Sequence, residues 1–141
     1  MQEYLDFAMR HPFLMGAVTA LIAMIAVTEI RRLSRRYKEI TAAQAVQLMN
    51  RESAWLLDVR EDQEVKGSVI PNSQHIALSE LPKRIGELKG QEGPVIAYCR
   101  TGMQAHRACK MLVREGLDPV YNLKGGIGGW QEAGMPLEAS P

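Results

Sequence analysis

The sequence predicts an α/β fold, with a parallel sheet of about five strands and helices on both faces, preceded by one N-terminal transmembrane helix. Three observations point there. Short apolar runs, AWLLDV at 54–59, VIAYC at 95–99 and VYNL at 120–123, alternate with stretches of helical apolar spacing, the order of a parallel sheet with crossover helices. Residues 11–28 carry no formal charge. The 141 residues are 46% hydrophobic and 23% charged, enough for one ordinary globular domain and too few for two.

Residues 1–10 read as a short non-cytoplasmic N-terminus and residues 11–30 as the membrane span. As a helix the uncharged stretch reaches roughly 27 Å against a hydrocarbon core of about 30 Å. Arg31 and Arg32 can snorkel across the shortfall. A cleaved signal peptide is disfavoured, because Glu3 and Asp6 stand where a basic n-region belongs and no AxA site follows. A buried helix of a soluble domain would show one polar face, whereas this one is apolar all round. Residues 31–38 form a basic juxtamembrane linker with Arg31, Arg32, Arg35, Arg36 and Lys38, and the positive-inside bias puts residues 39–141 in the cytoplasm.

In the domain, Thr41 and Gln44 have capping-box spacing, and Ala42, Ala45, Val46, Leu48 and Met49 carry a helix to about Asn50. The run 54–59 suits a strand buried on both faces, Ile76 and its neighbours add a short strand, and Ser79 is placed to cap a helix over 80–88. Pro94 and Pro119 mark the starts of two further strands. Between them Ala105, Ala108, Cys109, Leu112 and Val113 share one helical face, which Gly116 ends.

Lys plus Arg is 17 and Asp plus Glu 16, so the net charge of +1 declares no surface for nucleic acid. Cys99 and Cys109 lack a CxxC pattern or a His-rich cluster, which leaves a disulfide framework and a metal site without support. Reduced thiols agree with a cytoplasmic domain. Ligands of open parallel sheets sit beyond the carboxyl ends of the strands, and those ends carry Asp58 with Arg60, Cys99 with Arg100, and Lys124 with Gly125 and Gly126.

CRTGMQ, residues 99–104, is a tight strand-to-helix loop. Its backbone N–H groups converge into a nest, the following helix adds its positive end, and Arg100 adds a cation, so the loop favours anionic sulfur or an oxyanion. Cys99 reads equally as a nucleophile or as a core thiol closing a strand. Cys109, on an apolar helix face, reads as core.

Three ordered stretches resolve this. LLDVRE at 56–61 with GSVIPNSQHIAL at 67–78, YCRTGMQA at 98–105 and NLKGGIGGW at 122–130 resemble a single rhodanese domain over about residues 40–137. The whole chain resembles the small membrane-anchored rhodanese-like proteins of Gram-negative bacteria, which implies a single pass of the inner membrane. The resemblance implies sulfurtransferase chemistry: Cys99 takes sulfane sulfur from thiosulfate or a persulfide donor, holds it as a persulfide and passes it to a thiol or protein acceptor. Arg100, Thr101, Gly102, Met103 and Gln104 would form the substrate-binding loop, with Asp58, Arg60, Gly125 and Gly126 supporting it. No cofactor or metal is implied, and inner-membrane proteins are the partners that an anchor suggests.

Phosphatase and arsenate reductase relatives carry an arginine six positions after the cysteine, where this chain has Ala105. Gln104 replaces a frequent Arg or Thr, which predicts weaker thiosulfate affinity, and GSVIPNS lacks the usual His and Gly. Two alternatives follow. One is a rhodanese-fold adaptor in which Cys99 is vestigial, and the other is a redox role through a mixed disulfide.

Overall fold

The computed structural model describes residues 1–33 and 37–140. Arg35 and Arg36 of the basic linker lie outside the described residues. The chain divides at that point into two compact units.

The N-terminal unit is helical. Residues 1–10, read from sequence as a short tail, form helix α1 (Gln2–Arg10), and helix α2 follows over Pro12–Leu33. Proline disfavours helical backbone in the residue before it and suits the first helical position, so His11 leaves the helix at φ −126° and ψ 64° and Pro12 starts the next. Pro12–Arg31 has a mean hydropathy of 2.1 and is long and apolar enough to cross a membrane. The hydroxyls of Thr19 and Thr28 donate to the carbonyls of Met15 and Ile25, both at 2.8 Å, so neither is left to be solvated by the surroundings.

The second unit opens with strand β1 (Tyr37–Ile40), which starts within the stretch read as linker. Its polar Lys38 and Glu39 face solvent while Tyr37 and Ile40 are buried. Helix α3 (Ala42–Arg51) carries the expected capping box: Gln44 N donates to Thr41 Oγ1 at 3.3 Å and Thr41 N to Gln44 Oε1 at 2.9 Å. There follow β2 (Trp55–Asp58), the turn α4 (Asp62–Val65), and the short strands β3 (Ser68–Val69) and β4 (Gln74–His75).

The helix expected over 80–88 is a single turn, α5 (Leu81–Arg84), that tightens into a 3-10 segment, Ile85–Leu88. Ser79 does not cap it. Its hydroxyl donates instead to Glu61 Oε2 at 2.9 Å, which removes it from the helix end. Strand β5 (Val95–Tyr98), helix α6 (Met103–Arg114), strand β6 (Val120–Leu123), helix α7 (Gly126–Glu132) and strand β7 (Glu138–Ala139) complete the chain.

The main sheet has the order β1-β6-β5-β2-β4, all parallel, and β3 pairs with β7 in a small antiparallel ribbon. Side chains alternate across it. Leu57, Val59, Val95, Ala97 and Cys99 pack with Leu81, Ile85 and Leu88 and with Ala105, Ala108, Cys109 and Leu112 of α6. On the other face Leu56, Ile96, Tyr98 and Leu123 meet Ala42 and Ala45 of α3 and Ile127 and Trp130 of α7. Every residue of β5 is buried, so it is the central strand and its carboxyl end is the centre of the sheet's top edge.

Two buried acids of the core set its alkaline limit. Burial, with a smaller contribution from Cys99, pushes the Cys109 thiol from 9.0 up to about 12, and burial followed by the Asp58 charge pushes the Tyr98 phenol from 10.0 to about 12. The folded chain therefore keeps protons that the unfolded chain releases. These two groups contribute no pH dependence below about pH 9 and lower stability as pH rises from there towards 12, by up to about 1.4 kcal/mol per pH unit for each proton. Urea midpoints measured between pH 8 and pH 11 should show this decline, and Cys109→Ala and Tyr98→Phe should each flatten it; equal slopes in all three proteins would contradict the assignment.

Candidate active site

Cys99 follows β5 directly and is 1% exposed. Its Sγ accepts two backbone N–H groups, from Gly102 at 2.9 Å and from Ala105 at 3.3 Å. The second donor is in the first turn of α6, where amides have no partner inside the helix. The sulfur therefore occupies the positive end of a 12-residue helix. The turn that wraps it requires Gly102, whose φ of 106° lies in the left-handed region.

Elements after β6 brace the loop from behind. Ile127 N donates to the Cys99 carbonyl at 2.8 Å, and Asn122 Nδ2 donates to the Gly102 carbonyl at 3.3 Å. Gly126 packs so closely that a Cβ there would overlap the Cys99 carbonyl and come within 2.8 Å of the Arg100 carbonyl carbon. Gly125, at φ 74°, makes the reversal that starts α7. Both glycines of the turn thus stand against the cysteine loop.

Within that loop Arg100, Thr101 and Met103 are exposed, Gly102 and Gln104 partly so. Among the described residues no carboxylate pairs with Arg100, so its guanidinium is available to an anion. Gln104 Oε1 and Asn122 Oδ1 are buried side-chain oxygens with no hydrogen-bond partner.

Asp58 and Arg60 are placed differently. Asp58 is fully buried and points to the α3–α7 face, whereas Cys99 belongs to the α6 face, so the sheet separates the carboxylate from the sulfur. Of the two roles that its position allows, accepting amides of the cysteine loop or pairing with an arginine, Asp58 takes the second. Arg60 Nη2 and Nε donate to Asp58 Oδ2 at 2.8 and 3.1 Å, Nε also reaches Oδ1 at 3.0 Å, and Arg60 N donates to Oδ1 at 3.0 Å. The guanidinium goes on to the carbonyls of Ser68, at 2.9 Å, and Glu64, at 3.3 Å. Tyr98 Oη donates to Asp58 Oδ2 at 3.1 Å, and His75 Nε2 donates to the Arg60 carbonyl at 2.7 Å.

His106, the other histidine near the loop, meets Tyr37 Oη at 2.9 Å through Nδ1. Cys109 is fully buried on α6. Two residues escaped the sequence reading, Asn122 and Tyr98. Their signal was a polar atom inside an otherwise apolar strand, which a buried strand tolerates only where a partner waits. Among the described residues no group of His, Cys, Asp and Glu has the arrangement of a metal site.

A sequence profile of the rhodanese-like domain matches residues 41–133. YibN of Escherichia coli (strain K12), described as an uncharacterized protein, is 34% identical over 139 residues, spanning 97% of both chains. The thiosulfate sulfurtransferase GlpE of Actinobacillus pleuropneumoniae is 32% identical over 108 residues, which cover 77% of this chain and 99% of that protein. Among solved structures, a rhodanese-related protein from Thermoplasma volcanium superposes with a TM-score of 0.65 at 30% identity, covering 72% of this chain and 98% of the other. With its profile match, its relatives and its five-stranded parallel sheet in agreement, the chain belongs to the rhodanese-like domain family of sulfurtransferases.

Proposed function

We propose that this chain is a membrane-anchored sulfurtransferase that carries sulfane sulfur on Cys99. The observation that carries the reading is the pair of backbone N–H groups on Cys99 Sγ at the start of α6, since fixed dipoles aimed at a sulfur stabilise the anionic forms through which it reacts. The Cys99 thiolate attacks the outer sulfur of thiosulfate. A new S–S bond forms, the old one breaks, and sulfite leaves with the electron pair, so the charge is conserved in a Cys99 persulfide anion. An acceptor thiolate then takes the terminal sulfur and returns Cys99 as thiolate. Splitting the transfer this way replaces one difficult displacement by two easier ones.

Arg100 is the cation that meets the thiosulfate dianion, and residues 101–104 complete the loop around it. Gly125 and Gly126 brace that loop without touching the donor, whereas Asp58 and Arg60 hold the segment that follows β2. No general base, metal or organic cofactor is required. Residues 11–30 anchor the protein in the bacterial inner membrane, with 1–10 outside, a basic linker from 31 that ends where β1 begins at Tyr37, and the domain that follows in the cytoplasm. The juxtamembrane arginines support that orientation. The acceptor is a thiol or a protein, and inner-membrane proteins are within its reach.

Incubation with thiosulfate should add one sulfur atom to the intact mass of the wild type and of Cys109→Ser, and cyanide should remove it. Cys99→Ser should gain none. A wild type that takes no sulfur from thiosulfate or from glutathione persulfide would instead fit an adaptor with a vestigial cysteine. Arg100→Ala should raise KM for thiosulfate about tenfold, the worth of one charge-assisted hydrogen bond, while kcat falls less. An unchanged KM would remove Arg100 from the donor site. Gly126→Ala should lose transfer activity through displacement of the Cys99 carbonyl, and retained activity would show that the brace is dispensable.

A further inference from the structure

Helix α1 is amphipathic over its whole length. At about 100° per residue, Tyr4, Leu5, Phe7, Ala8 and Met9 occupy roughly 200° of arc, and Gln2, Glu3, Asp6 and Arg10 share the remainder. None of its residues is buried, and Tyr4, Leu5, Phe7 and Met9 are exposed. A nine-residue helix is marginal in water, so an apolar face of this width requires something to cover it.

What covers it is restricted by the chain. Only His11 separates α1 from α2, and one residue spans at most about 3.6 Å. The Phe7 and His11 rings meet at 4.8 Å, which ties the last turn of α1 to the start of α2. Nine residues make a helix about 13 Å long, so with the link through His11 every residue of α1 remains within about 20 Å of the end of the span.

We propose that α1 lies in the plane of the membrane surface, with its apolar face in the boundary between headgroups and acyl chains on the side where α2 begins. This rests on the reading of α2 as a membrane span. Tyr4 and Phe7 are side chains that favour that boundary. The polar face holds two acids and one base, Glu3, Asp6 and Arg10, so attraction to anionic lipid contributes nothing and apolar burial holds the helix. Adsorption is therefore independent of salt and complete on zwitterionic lipid.

The test uses the full chain, with Cys99→Ser and Cys109→Ser, in phosphatidylcholine vesicles, and single cysteines at Gln2→Cys, Leu5→Cys, Asp6→Cys and Ala8→Cys, with Ala20→Cys as a reference inside α2. Reaction with a membrane-impermeant maleimide should be at least about tenfold slower at Leu5→Cys and Ala8→Cys than at Gln2→Cys and Asp6→Cys, at low and at high salt. Equal, fast labelling at all four positions with Ala20→Cys protected would overturn the proposal and leave the span standing. Fast labelling at Ala20→Cys as well would remove the span itself. Protection that disappears when the protein is diluted in lipid would assign the apolar face to a second copy of the chain and also overturn the proposal.

Discussion

A sulfur atom at the buried end of a central strand has to be satisfied by whatever donors the local chain can bring, and here both donors are main-chain amides. Gly102 N and Ala105 N reach Cys99 Sγ because the chain reverses within three residues and then enters a helix. That reversal places the Gly102 carbonyl where Asn122 meets it and the Cys99 carbonyl where Ile127 N meets it. The last strand and helix of the domain thus act as a brace, and the absence of a Cβ at Gly126 is what lets them come close enough. The central strand, the cysteine loop and the Gly-Gly turn are one mechanical unit.

Consecutive residues of the chain serve two different systems. Cys99 belongs to the face covered by α6, and Tyr98 to the face covered by α3 and α7. Tyr98 joins Asp58 and Arg60 in a buried polar cluster whose further bonds reach Glu64, Ser68 and Ser73. This cluster ties the end of β2 to the irregular segment between β2 and β4, which has little regular hydrogen bonding of its own. Breaking a buried ion pair by removing one partner costs about 3–5 kcal/mol, because the other charge stays behind without compensation. The arginine that follows the first strand motif is accordingly a structural fixture, and the exposed Arg100 is the cation free to meet a ligand.

Signals that are local in sequence were legible, and those that depend on distant partners were not. The capping box at Thr41 and Gln44 is complete within four residues, and the strands of the central sheet announce themselves as apolar runs because they are buried on both faces. The position of Cys99 at a strand end marked the candidate site. Strand β1 was hidden, since Lys38 and Glu39 continue the polarity of the arginine cluster and only pairing with β6 makes the segment a strand. Ser79 looked like a helix cap until Glu61, eighteen positions away, took its hydroxyl. Asn122 opens the NLKGGIGGW stretch, but its meaning required the Gly102 carbonyl to be near.

Because the sulfur is held by main-chain groups, side-chain changes around the loop alter recognition more than they alter the cradle. Gln104 differs from the residues frequent at its position, yet its side chain donates nothing to Cys99, and the two amides that do are set by the turn at Gly102 and the start of α6. Against the Arg or Thr that the family resemblance implies there, the loop has one cation or hydroxyl fewer. What stays on the rim is Arg100 and an exposed apolar side chain, Met103, that is 79% accessible. Such a rim has less to offer a free dianion than one with two arginines, and an unbranched thioether is well suited to irregular apolar surface.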